Sequence, residues 1–153
     1  MNSSAEVVWS DRSLLGYGPL DRTHKEFVEL VNAMLTASDT GFSAVLDVFI
    51  KHAEEHFGQE NAWMSRGGFP ARDCHVGEHE KVMQSALQVR ERVAQGNIAV
   101  GRSFAMALWE WFPGHADYMD SALARWMVEK CFGGAPIVIR RGKPADSVPL
   151  TNE

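Results

Sequence analysis

Cysteine is nearly absent from this chain. Cys74 and Cys131 are the two present among 153 residues, and they form neither a CxxC pair nor another metal-ligand spacing. A disulfide framework and a thiolate-held metal are both excluded as organising features. Long apolar runs are also missing, since no stretch approaches the ~18 apolar residues that suggest a membrane span. Basic residues are in deficit: 15 Lys and Arg against 20 Asp and Glu give a net charge of -5, and Arg140-Arg141 is the one local basic pair. That balance disfavours phosphate backbones, so nucleic acid is not an expected partner. The opening MNSSAEVVWSDRS lacks the charged and apolar regions of a secretory signal. A cytoplasmic protein with no membrane insertion is expected. What remains is 45% hydrophobic and 23% charged, a globular composition of single-domain length.

Helical periodicity dominates residues 21–130. Asp21 is the expected cap of a first helix, with a stripe of His24, Phe27, Val28, Val31, Met34 and Leu35. The polar run Ser38-Asp39-Thr40-Gly41 interrupts it. A second stripe holds Phe42, Val45, Leu46, Phe49, Ala53, Phe57 and Met64, with His56 and Glu60 inside it, and ends at Gly67-Gly68-Phe69-Pro70. Asp73 is the expected cap of a third helix carrying His75, His79, Val82, Ala86, Val89 and Val93 up to Gln95-Gly96-Asn97. The fourth stripe runs Phe104, Leu108, Trp111, Phe112, His115, Met119, Leu123 and Trp126, interrupted by Pro113-Gly114. Short connections between four amphipathic helices predict an all-α, up-down-up-down four-helix bundle. The expected domain covers residues 1–132, including a short N-terminal arm. Residues 133–153 contain three prolines and a short β-branched run, and read as an irregular tail with at most one short strand.

Each of these helices places at least one imidazole on its apolar face. A lone core histidine is ordinarily a hydrogen-bonded structural residue, but five spread over four stripes would each need a buried polar partner that the stripes lack. A shared metal site satisfies them together. His56 and Glu60, and likewise His75 and His79, are four apart and lie on adjacent turns of one helix face. Five imidazoles with a carboxylate exceed the four ligands of a structural zinc site and point to two metal ions. Imidazole with carboxylate suits iron, while zinc, nickel and manganese stay open on ligand type.

The set His24, His56-x3-Glu60, His75-x3-His79 and His115-x4-Asp120 resembles the hemerythrin family, in particular its single-domain bacterial members. The blocks LDRTHKEF, HFGQENAWM, GFP and HVGEH are similar to that family's, as is a tryptophan near the N-terminus, Trp9. The resemblance covers residues 9–130. It implies a non-haem di-iron centre (Fe2+/Fe3+) with an oxo or hydroxo bridge that binds O2 reversibly for transport, storage or sensing. Residue by residue, it implies that His75, His79 and His115 hold one iron and His24 and His56 the other, the open one. Glu60 and Asp120 would bridge. Phe27, Phe57, Trp111, Phe112 and Ala116 match positions that line the family's O2 pocket; at Ala116 the family commonly carries a bulkier aliphatic.

Two ferrous ions bring +4, and two carboxylates with a hydroxide bring -3, leaving about +1 in a low-dielectric core. That balance favours stopping at reversible binding over reaching higher-valent iron, so the chain is not expected to be an enzyme. A di-iron enzyme acting on peroxide or nitric oxide, and a metal buffer, are the competing functions. A protein partner for delivery or signalling is not readable, nor is oligomeric state.

Asp120 fits helical periodicity least well. Five residues beyond His115 is about 140° further round an ideal helix, and on spacing alone Asp120 is a solvent-facing aspartate. The resemblance reverses that reading and predicts a π-type turn or kink between Pro113 and Asp120, because a turn of about 4.4 residues carries position i+5 back towards the face of i. His52 lies on the shoulder of the second stripe and reads as a partly buried surface histidine. Glu54 and Glu55 read as solvated charge, and Cys74 as an ordinary thiol.

Overall fold

A computed structural model describes residues 13–132. The arm with Trp9 and the segment 133–153, with its expected irregular conformation and Arg140-Arg141, lie outside the described residues. Within them the elements are α1 (Gly18–Thr36), α2 (Phe42–Gly67), α3 (Arg72–Ala94), α4 (Ile98–His115), a π turn (Ala116–Asp120) and α5 (Ser121–Phe132). No strand occurs among the described residues. α4, the π turn and α5 follow one another without a break and form the fourth rod of an antiparallel bundle. Each rod packs on its sequence neighbour, and the fourth closes back on α1.

The helix boundaries follow local chemistry, with two departures from the sequence reading. α1 begins three residues before Asp21, with Pro19 in its first turn, where a missing N–H leaves no gap in the ladder. Asp21 does not cap the helix. Its carboxylate accepts from the backbone N–H groups of Leu15 at 2.7 Å and Gly16 at 3.1 Å, tying down the segment that enters α1. α3 begins at Arg72 after Ala71, which places Asp73 in the first turn, where its charge complements the helix dipole without capping. α2 ends as expected at Gly68, whose φ of 65° is one that a side chain rarely adopts. α4 is capped by Asn97, whose side chain accepts from the Val100 N–H at 3.2 Å. It runs through Pro113, which is exposed, without ending there.

The apolar stripes face inward as two separate clusters. The larger holds Phe27, Val31, Met34, Phe42, Leu46, Phe49, Ala105, Leu108 and Phe112. Gly101 lets α4 approach α2 there, since a Cβ at that position would overlap the Phe42 ring. The smaller cluster, at the other end, holds Leu20, Trp63, Met64, Phe69, Leu123 and Ala124. Along every rod a ligand-type side chain falls between the two: His24 follows Leu20 and precedes Phe27, and Glu60 stands between Phe57 and Trp63. A polar layer thus divides the interior.

Candidate metal centre

Burial of seven ionisable or imidazole side chains defines that layer. His24, His56, Glu60, His75, His79 and His115 are each at most 4% exposed, and Asp120 is 0% exposed. These are the seven residues singled out in the sequence, and the structure brings all of them together. Asp120 arrives by the route its spacing requires: residues 116–120 form the π turn, which rotates Asp120 inward while Asp117 and Tyr118 stay exposed.

The seven side chains sort into two sets joined by the carboxylates. In one, the Nε2 atoms of His75 and His115 are 3.2 Å apart and those of His79 and His115 are 3.3 Å apart. Nitrogens bound at right angles to one ion, each about 2.1 Å away, would be about 3 Å apart. The Nε2 atoms of His75 and His115 lie 2.9 and 3.2 Å from Asp120 Oδ1, and those of His75 and His79 lie 3.4 and 3.7 Å from Glu60 Oε1. In the other set, His24 Nε2 lies 2.9 Å from Asp120 Oδ2, and His56 Nε2 meets Glu60 Oε2. Each carboxylate therefore turns one oxygen to the three-histidine set and the other to His24 and His56. The first set has five inward donors within 4.8 Å of one another, and the second has three, His24, His56 and Glu60, with Asp120 Oδ2 reaching it through His24.

Hydrogen bonding among these residues leaves the layer incomplete. His24 Nε2, His56 Nε2 and both oxygens of Glu60 and of Asp120 are buried with no hydrogen-bond partner, although all lie close to one another. The only ion-pair partners of either carboxylate among the described residues are the histidines. Buried polar atoms in such numbers are otherwise satisfied in folded proteins. Cations at the two convergence points would satisfy them, and the donor set suits divalent metals.

Electrostatics is already polarised around these points. Burial opposes charge on His75, but Asp120 and Glu60 outweigh it and hold its pKa up at about 9. Burial pushes His79 down to about 2, reinforced by His75 and His115. For Asp120, burial acts upward, and the imidazoles of His115, His24 and His75 that face it overcome it, keeping the carboxyl well below its usual range.

Two outer partners were not legible in the sequence. His79 Nδ1 bonds Asn61 Oδ1 at 2.9 Å, and His115 Nδ1 bonds Glu78 Oε1 at 3.2 Å. Their one signal is adjacency, since Asn61 follows Glu60 and Glu78 precedes His79.

The aromatic residues expected around a gas pocket divide between the two sets. Phe27 stacks on Phe112 with centroids 4.6 Å apart, and both meet the His24–His56 side: Phe112 lies 5.1 Å from the His24 ring and Phe27 6.0 Å from that of His56. Phe57 stacks on His79 at 4.1 Å and also lies 5.2 Å from the His56 ring, so it touches both sets, whereas Trp111 stacks on His115 at 4.3 Å and backs the three-histidine set. Ala116 is 9% exposed and belongs to the larger apolar cluster. His52 is half-buried, its Nε2 3.0 Å from Glu26 Oε2, and its ring stands 5.7 Å from that of His56. Burial lowers its pKa, with the Glu26 hydrogen bond acting against that. Glu54 and Glu55 are exposed, as expected, and Cys74 is a free, exposed thiol.

Comparison with known proteins gives a concordant picture. The family model of the hemerythrin HHE cation binding domain matches residues 15–127. A bacteriohemerythrin of Ralstonia nicotianae is 40% identical over 124 residues, spanning 81% of this chain and 90% of the relative. A bacteriohemerythrin of Stenotrophomonas maltophilia is 24% identical over 78% of this chain and 80% of its own. One from Pseudomonas aeruginosa is 25% identical over 85% of this chain and 92% of its own.

Proposed function

Since the chain belongs to the hemerythrin family, we propose that its polar layer holds two iron ions with an oxo or hydroxo bridge and binds O2 reversibly. The observation that carries this reading is the split of both carboxylates, each presenting one oxygen to either histidine set. In this reading His75, His79 and His115 hold one iron and His24 and His56 the other, with Glu60 and Asp120 shared. The iron pair, when bound, supplies the two electrons of reversible O2 binding. The set with fewer protein donors, His24 and His56, is where an exogenous ligand finds room.

The chain's own residues favour carriage over turnover. Phe27 and Phe112 wall the His24–His56 side with apolar rings, which limits water and proton access there. Phe57 and Trp111 instead hold the rings of His79 and His115 flat against hydrocarbon. No helix among the described residues is long and apolar enough to cross a membrane. We place the protein in the cytoplasm, with residues 1–132 as the working domain and 133–153 as a tail.

The test is an optical spectrum of the reduced, iron-loaded protein before and after air, with metal analysis. Two irons per chain and a charge-transfer band that appears with O2 and disappears on its removal are expected. One zinc with no iron, or an irreversible change with peroxide turnover, would overturn the reading.

A further inference from the structure

The two histidine sets differ in how firmly their rings are held. An amide carbonyl oxygen and an ionised carboxylate can only accept hydrogen bonds. The ring nitrogens facing Asn61 Oδ1 and Glu78 Oε1 must therefore carry the proton: His79 Nδ1–H donates at 2.9 Å and His115 Nδ1–H at 3.2 Å. In a neutral ring this leaves the lone pair on Nε2, the atom turned into the metal layer. The same two rings are clamped by stacking, His79 on Phe57 and His115 on Trp111. Tautomer and ring plane are thus both fixed before any ion arrives. His75 Nδ1 is buried without a partner, so two of the three rings of the first set are anchored; in the other set His56 Nδ1 is likewise unpartnered, and its ring has no such anchor.

From this asymmetry we infer that Glu78 and Asn61 are positioning residues that pre-organise the three-histidine position, so that it takes up metal first and more tightly than the His24–His56 position. The inference rests on the two-metal reading above but not on iron or on O2. Outer partners of ligating histidines typically change metal affinity about 10–100-fold when removed, and here that effect should fall on one of two binding steps. Glu78 is suited to the test because its side chain is 32% exposed, beside a surface cleft of about 290 Å³ that it shares with Lys81, Val82 and Trp111. Its replacement does not open the core.

The experiment is calorimetric titration of the metal-free full chain with Zn2+ alone, for the wild type, Glu78→Ala, Glu78→Gln and Asn61→Ala, with melting temperatures as the folding control. The wild type should bind in two resolved steps. Glu78→Ala and Asn61→Ala should weaken the tighter step about 10–100-fold and leave the weaker step unchanged. Glu78→Gln keeps an acceptor oxygen for His115 Nδ1–H, and should restore most of the loss. Two steps of equal affinity in the wild type, equal weakening of both steps by Glu78→Ala, or a Gln variant as weak as the Ala variant would overturn the inference. Binding of a single Zn2+ per wild-type chain would instead count against the two-metal reading beneath it.

Discussion

At the residue scale, the charges now on His75 and His79 decide how the centre meets protons. His75 is held up at about 9 and so carries a proton at neutral pH, and a metal ion must displace it. Metal binding should therefore release that proton below about pH 9, with His75 contributing up to about a tenfold gain in affinity per pH unit until it is deprotonated. Calorimetry in buffers of different ionisation enthalpy would read the release at pH 7.5 and its disappearance above about 9. The same shifts set the stability of the metal-free protein. His75 is raised above its ordinary 6.5, so its contribution is full below that value and fades as pH rises through about 9. His79 is depressed to about 2, so its contribution is full above 6.5 and fades as pH falls.

Ala116 gives a second residue-scale expectation. It is a small residue in the larger apolar cluster, one position beyond His115, where the family's bulkier aliphatic would remove more water. If the chain binds O2 as proposed, Ala116→Ile should slow oxidation of the O2-loaded protein under air, measured as loss of the charge-transfer band, and an equal or faster rate would negate the wall's role. The structure also shows where residue-level reading stops. The histidines and Glu60 were legible because periodicity alone puts them on buried faces. Asn61 and Glu78 were not, because their value depends on which side chain of a neighbouring helix stands about 3 Å away. Phe57 and Trp111 were expected to line a gas pocket, and the sequence could not tell which imidazole rings they stack on.

At the scale of elements, the π turn is the decisive irregularity. A π turn amounts to one extra residue accommodated without disturbing the register on either side. Deleting the exposed Tyr118 should therefore regularise the fourth rod, place Asp120 four residues from His115, and preserve metal loading. Deleting the exposed Glu110 within α4 instead rotates everything beyond it by about 100° and should abolish loading. Metal content of the two deletion variants would check this, and loss in both would refute it. The need for such a turn was legible from the His115-to-Asp120 spacing. The starts of α1 and α3 were less so, since Asp21 and Asp73 are good cap residues that the chain uses just inside the helix.

For the whole molecule, the dividing layer means that two apolar clusters depend on one polar plane. Metal that binds the folded state alone stabilises it by about 4 kcal/mol at a thousandfold excess over its dissociation constant. Chelation should then lower the melting temperature by about 10 °C. The loss should be uneven. Amides near the smaller cluster of Leu20, Trp63, Met64, Phe69 and Leu123 should exchange with solvent sooner than those near Phe42, Leu46 and Phe49, read by hydrogen–deuterium exchange with and without metal. Uniform exchange would mean that the layer does not divide the fold.

The π turn also bears on the order in which the chain is made. Its Asp120 supplies an oxygen to each histidine set, and it follows every other inward donor in the sequence. On a ribosome, His24, His56 and Glu60 emerge long before it, while His115 and Asp120 come almost together near the end of the bundle. Neither metal position can be completed on the nascent chain until that last rod has been released and has wound its one wide turn. Capture of metal is in this sense a late event of synthesis.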